Sequence, residues 1–171
     1  MAKKKIESIK GRVFLVVIDA SQEQHQAIRY ACKRAASTGG RVALFKCLSP
    51  AEFQHFAGVA EIMRTEAREN AEKLLRKIGE TVIEITGQMP VLYVREGDAK
   101  EELLNLINEE EIISILVLGV STQSSGPGPL VSHITSRGAS TCRVPVTLVP
   151  DVITDEAIDL SLIHISEPTR R

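Results

Sequence analysis

Two stretches of this sequence are apolar without alternation: Val13-Phe-Leu-Val-Val-Ile18 and Ile112-Ile-Ser-Ile-Leu-Val-Leu118. Both are rich in β-branched residues. A strand with one face in water alternates apolar with polar side chains, so runs like these must be covered on both faces. They read as central strands of a parallel sheet with helices above and below. Shorter strand candidates are Arg41-Val-Ala-Leu-Phe-Lys-Cys47, Val91-Leu-Tyr-Val94 and Val144-Pro-Val-Thr-Leu-Val149. Pro145 has no N–H to donate, which places the last of these at a sheet edge with the proline near its start.

Helical signals fall between the strands. Ser21-Gln-Glu-Gln24 has the capping-box pattern and precedes Ala27, Ile28, Ala31, Cys32 and Ala35 at helical spacing, with Gly39-Gly40 as the stop. Ser49-Pro50-Ala-Glu52 is a second start signal. A longer helix then carries Ala67, Ala71, Leu74, Leu75, Ile78, Val82 and Ile85 on one face and stops at Gly87. Asp98-Ala-Lys-Glu101 opens a third helix with Leu103, Leu106 and Ile107 inward, and a fourth follows Pro129 with Leu130, Ile134 and a mid-segment Gly138. The order β-α-β-α-β-α-β-α-β predicts an α/β fold, a single-domain open five-stranded parallel sheet with helices on both faces and right-handed crossovers.

At 171 residues, 43% hydrophobic and 25% charged, the chain suits one globular domain and is too apolar to be disordered. Lys and Arg total 21 against 22 Asp and Glu, so the basic footprint of a nucleic-acid binder is missing. No apolar run approaches the roughly 18 residues of a membrane span. The opening Met1-Ala-Lys-Lys-Lys-Ile-Glu7 lacks the apolar segment of a signal peptide. Nucleic acid and membranes are therefore not expected partners. Cys32, Cys47 and Cys142 form no CxxC pair and read as three small buried residues in a reducing, cytoplasmic compartment.

In an open parallel sheet, ligands sit beyond the carboxyl ends of the strands, where strand order reverses. Two such ends stand out: Val17-Ile18-Asp19-Ala20-Ser21, and the small-residue loop from Gly119 to His133. The loop carries no Lys or Arg from Gly119 to Ile134, and Pro127 and Pro129 remove two N–H donors. Ser121, Thr122, Ser124, Ser125, Gly126 and Gly128 supply hydroxyls and pliable backbone, suited to an anion or to satisfying one another and water.

Residues 11–150 resemble the universal stress protein family. The resemblance rests on the apolar strand ending in Asp19, on Arg95-Glu-Gly-Asp98 before the third helix, on Ile115-Leu-Val-Leu-Gly119 and on Val144-Pro-Val-Thr-Leu-Val149. It implies strand order 3-2-1-4-5, with Asp19 and Gly119 facing each other across the switch point. It also implies a homodimer paired through the last strand, Val144–Val149. ATP-binding members carry G-x2-G-x9-G-S/T after the fourth strand. Here Gly119 keeps the first position, whereas Thr122, Ser132 and His133 stand at the others. Thr122 is β-branched and disfavours positive φ, and His133 puts a ring where a compact hydroxyl belongs.

Asp19, Gly119, Thr122, Ser132 and His133 thus form a candidate degenerate nucleotide site, with Asp19 suited equally to a turn before Ser21. The resemblance implies a non-catalytic stress-response module with no cofactor. Its rival is an ATP-binding switch with slow ATP hydrolysis.

Other tempting residues carry less. His25, His55 and His133 have no partner at metal-ligand spacing. Ser21, Ser132 and Ser136 lack the Gly-x-Ser-x-Gly elbow. Glu109-Glu110-Glu111 reads as a solvated turn at a helix end. Phe53, Gln54, Phe56, Ala57 and Met63 read as core-packing residues, or else as a partner surface. Four segments result: a basic arm 1–10 with Lys3-Lys4-Lys5, the domain 11–150, an extension 151–159, and a tail 160–171. That tail, Leu160-Ser-Leu-Ile-His-Ile-Ser-Glu-Pro-Thr-Arg-Arg171, is similar to a translated sequencing-library adapter, which places the native end near or just beyond Asp159. His164 and the Arg170-Arg171 pair carry no functional expectation.

Overall fold

The non-alternating run from Val13 sits where its composition demands. In the computed structural model, which describes residues 11–19, 24–53, 58–123 and 126–163, β1 (Val13–Val17) occupies the centre of a five-stranded parallel sheet. The strand order is β3-β2-β1-β4-β5, where β2 is Arg41–Leu48, β3 Val91–Glu96, β4 Ile113–Val120 and β5 Val146–Pro150. Leu15 pairs with Ala43 on one side and with Leu116 on the other. A register shift after Val13 passes over Ser114, whose hydroxyl accepts from the Val13 N–H.

Side chains alternate faces along a strand, so the two faces of β1 feed two separate apolar layers. Phe14, Val16 and Ile18 pack with Ala27, Ala31, Cys32 and Ala35 of α1 (Gln24–Thr38) and with Leu75 and Val82 of α2 (Ala60–Thr86). Val13 and Leu15 pack with Leu103, Leu106 and Ile107 of α3 (Ala99–Glu109) and with Val131 and Ile134 of α4 (Pro129–Ser136). The inner face of α1 is all small residues apart from Ile28, which lets its backbone lie close to the sheet. Gly87 ends α2 in the left-handed region at φ 72°, its N–H returning to Ile83 O at 2.7 Å, a conformation that favours glycine.

Several boundaries differ from the sequence reading. The start signal at Ser49-Pro50 produces only a single 3-10 turn, Pro50–Glu52, and Ser49 makes no side-chain cap. Met63 is half-buried in the first turn of α2, and Phe53 belongs to the core. The fourth helix stops at Ser136, and Gly138 opens a separate 3-10 turn. Val144 is buried ahead of the last strand, which begins at Val146. Pro145 nonetheless joins the ladder as an acceptor, through Leu116 N–H. Of the three cysteines only Cys32 is fully buried; Cys47 and Cys142 are half-buried, and all three are free thiols.

Beyond Pro150, the segment read as an extension, 151–159, carries the first part of α5 (Asp155–Ile163), which continues through Leu160. Thr154 Oγ1 caps it by accepting from Ala157 N–H. Ile158 is fully buried, Arg29 pairs with Asp155 at 3.2 Å and Asp159 at 3.5 Å, and Lys33 reaches Asp159 at 3.4 Å. The basic arm 1–10, Ala20 and Ser21 of the capping box, Gln54, His55, Phe56, Ala57, Ser124, Ser125 and the tail from His164 lie outside the described residues.

Candidate functional site

Strand order reverses between β1 and β4: the chain leaves β1 toward β2 on one side and enters β4 on the other. Crossover connections therefore diverge above their carboxyl ends, leaving a cleft there. Val17, Asp19, Gln24, Leu118, Gly119, Leu130 and Val131 line it. As bounded by the described residues its volume is about 30 Å³. A space that size holds about one water molecule. A larger groove of about 430 Å³ runs between α2 and the open edge of β3, lined by Arg68, Glu72, Arg76 and Leu92 among others. It lies far from the switch point, so topology and not size selects the candidate site.

The five candidate residues separate into groups. Asp19 and Gly119 share the cleft, as the strand order requires. Gly119, expected to open the loop, lies inside β4 and pairs with Val149, so the loop proper starts at Ser121. Thr122 is exposed and held elsewhere: its N–H donates to Asp151 Oδ1 at 3.1 Å and its hydroxyl to the same oxygen at 2.7 Å. Asp151 N–H in turn donates to Val120 O at 2.9 Å. Ser132 and His133 sit in α4, where Ser132 N–H donates to Gly128 O and both carbonyls accept from the Ser136 hydroxyl. Neither lines the cleft. The glycine that allows α4 to start is Gly128, at φ 86°.

Gln24 and Asp151 were not among the expected site residues. The side-chain oxygen of Gln24 is buried at the cleft without a hydrogen-bond partner among the described residues. Only the capping-box position hinted at its proximity. Nothing in sequence pointed to Asp151, which is 29 residues from Thr122.

The Arg95-Glu-Gly-Asp98 segment is tied into the fold at each of its residues. Arg95 pairs with Glu109 at 2.6 Å and Glu96 with Arg64 at 2.9 Å. Gly97 N–H extends the β2 ladder to Leu48 O, and Asp98 caps α3 by accepting from Lys100 and Glu101 N–H. The segment braces the end of β3 and is structural. Cys47 donates its thiol to Gly97 O, and burial, with Glu102 and Asp98 nearby, pushes that thiol up. A raised thiol is a poor nucleophile at neutral pH.

The family's sequence profile matches residues 11–150, the span that carries the sheet, the cleft and the loop. The chain belongs to the universal stress protein family. Solved universal stress proteins share the fold at low identity. UspA from Lactobacillus plantarum superimposes with a TM-score of 0.68 at 14% identity, over 81% of this chain and 97% of that one. A universal stress protein from Burkholderia pseudomallei gives 0.61 at 21%, over 81% and 95%. A universal stress protein solved in complex with cAMP gives 0.57 at 16%, over 82% and 98%. No protein of curated function matches the sequence. Membership in the universal stress protein family accounts for the order 3-2-1-4-5 and for the position of the cleft.

Proposed function

We propose that this universal stress protein is a non-catalytic, cytoplasmic stress-response module, a homodimer that acts by binding protein partners and whose nucleotide site does not take ATP in the canonical way. The observation that carries this reading is the engagement of Thr122. It stands at the second glycine position of the phosphate loop, and its two donors are committed to Asp151. Among the described residues no group of three His, Cys, Asp or Glu side chains could hold a metal ion, and no helix is long and apolar enough to cross a membrane.

Dimerisation is proposed along the last strand, expected as Val144–Val149. β5 lies at the sheet edge, with Leu148 42% exposed and Val152 62% exposed just beyond it. Unpaired strand edges with apolar side chains favour pairing with a second chain. Sedimentation velocity at micromolar concentration is expected to show a dimer, and a monomer there overturns this part.

The second reading is the ATP-binding switch with slow hydrolysis. Asp19 and Gly119 share one cleft, and a solved relative holds cAMP. Thermal unfolding with and without ATP and magnesium separates the two readings. A ligand present at 100 times its Kd adds about 2.7 kcal/mol. No shift is expected; a shift that disappears in Asp19→Ala would replace the module with the switch.

A further inference from the structure

We infer that Asp151 is the specificity-determining residue of the switch-point cleft, excluding phosphate by holding the loop's donors with a carboxylate of its own. The inference deepens the reading of the site as one that does not take ATP, and rests on it. A phosphate loop works by turning backbone N–H groups and hydroxyls toward an anion. Here the Thr122 N–H and hydroxyl already serve an anion, Asp151 Oδ1, at 3.1 and 2.7 Å. An incoming phosphate would have to displace that carboxylate and then sit beside its negative charge. Charge-assisted hydrogen bonds are the strong ones, so the internal acceptor competes on favourable terms.

Asp151 is also fixed in place from both directions. Its N–H is tied to Val120 O, and Leu118 pairs with Leu148 two residues back along the same ladder. Beyond it, Ile153 O accepts from the Gln26 side chain, and Asp155 and Asp159 pair with Arg29 and Lys33. Gln26, Arg29 and Lys33 all belong to α1, the helix that begins at the cleft residue Gln24. The segment after β5 therefore joins the loop on one side of the cleft to the helix on the other. Displacing Asp151 means working against both attachments.

This explanation competes with a simpler one, in which the loop fails only because Thr122 and Ser132 replace glycines. Titration calorimetry of the full chain separates them, using inorganic tripolyphosphate and ATP with magnesium as probes. The variants are Asp151→Ala, Asp151→Asn and Thr122→Gly, with circular dichroism reporting folding and amide hydrogen exchange reporting release of Thr122. The parent and Thr122→Gly are expected to bind both probes equally poorly, within threefold. Asp151→Ala is expected to expose the Thr122 amide to exchange and to bind both probes at least tenfold more tightly than the parent. Asp151→Asn, which keeps an acceptor and loses the charge, should fall between, and it carries the test if the alanine variant does not fold.

The proposal is overturned if Thr122→Gly gains affinity while the Asp151 variants do not. It is also overturned if folded Asp151 variants gain none, and the non-binding reading then stands. If the parent itself binds ATP as tightly as the variants, that reading falls and the exclusion by Asp151 falls with it.

Discussion

Arg143 Nη2 donates to Ile107 O at 2.7 Å, joining residues 36 positions apart in sequence. The same nitrogen lies 3.1 Å from Glu110 O and 3.2 Å from Ile113 O. A helix leaves its last carbonyls without intrahelical donors, and a cation at that end also suits the helix dipole. One guanidinium thus closes α3 and anchors the turn into β4. Hydrogen bonds to charged groups contribute about 1.5–3 kcal/mol, so Arg143→Met is expected to lose about that much in urea unfolding, with Arg143→Lys recovering part.

Asp98 supplies the opposite end of the same helix, accepting from Lys100 N–H at 3.0 Å and Glu101 N–H at 3.2 Å. Replacing an N-cap aspartate by alanine typically costs about 1 kcal/mol. Asp98→Ala should lower stability by that amount and Asp98→Ser should restore most of it, read from the urea midpoint.

The C-terminal helix gives a sharper test. Ile158 is fully buried against the α1 side of the core, whereas the ion pairs around it are partly exposed. Truncating a buried isoleucine to alanine costs about 2–5 kcal/mol, and exposed pairs contribute at most about 1 kcal/mol. Ile158→Ala is therefore expected to destabilise far more than Asp159→Asn. Equal, small effects would show that the helix is not docked in solution.

Alkaline pH should expose the buried thiol. Burial pushes Cys32 up to about 12 from an ordinary 9.0. The fold favours the neutral thiol, so this contribution is fully present below pH 9 and is lost as pH rises from 9 toward 12. The unfolded chain releases its proton first, which lowers stability by about 1.4 kcal/mol per pH unit over that range. Burial and the Glu110 charge likewise push Tyr93 up to about 12 from 10.0, adding a second loss above pH 10. Urea unfolding of Cys32→Ala at a series of pH values should fall less steeply between pH 9 and pH 10 than the parent.

The strand edge supplies the last prediction. Leu148 is 42% exposed on β5, so a charge there should leave the monomer fold intact while opposing edge-to-edge pairing. Leu148→Lys is expected to sediment as a monomer with an unchanged circular dichroism spectrum. A dimer that persists would point to a different interface.

Most of the fold was legible because periodicity reports burial directly. The inner face of α1, Ala27, Ile28, Ala31, Cys32 and Ala35, is buried in full, as is the Leu103, Leu106 and Ile107 face of α3. Local chemistry was legible too, in Asp98 as a cap and Gly87 as a stop. Ser49-Pro50 misled: the signal opens the 3-10 turn Pro50–Glu52, without a side-chain cap from Ser49, and Phe53 enters the core directly after it. The helix from Asp155 carried no apolar period to read: among the described side chains it buries Ile158 alone.

The site was half legible. Asp19 and Gly119 were placed together by the strand order that the family resemblance implies, taken with the rule that ligands sit where strand order reverses. Thr122, Ser132 and His133 were grouped with them by the spacing of the family's ATP-binding motif, and motif spacing does not fix where a loop's donors point. The sequence by itself determined a parallel sheet covered on both faces, because burial is written in the residue pattern; its strand order, and with it the switch point, came from the family resemblance. Only the tertiary structure decided what Thr122 does. Its partner, Asp151, arrives from the far end of the chain once β5 pairs with β4, and no local pattern encodes a hydrogen bond between strands brought together by packing.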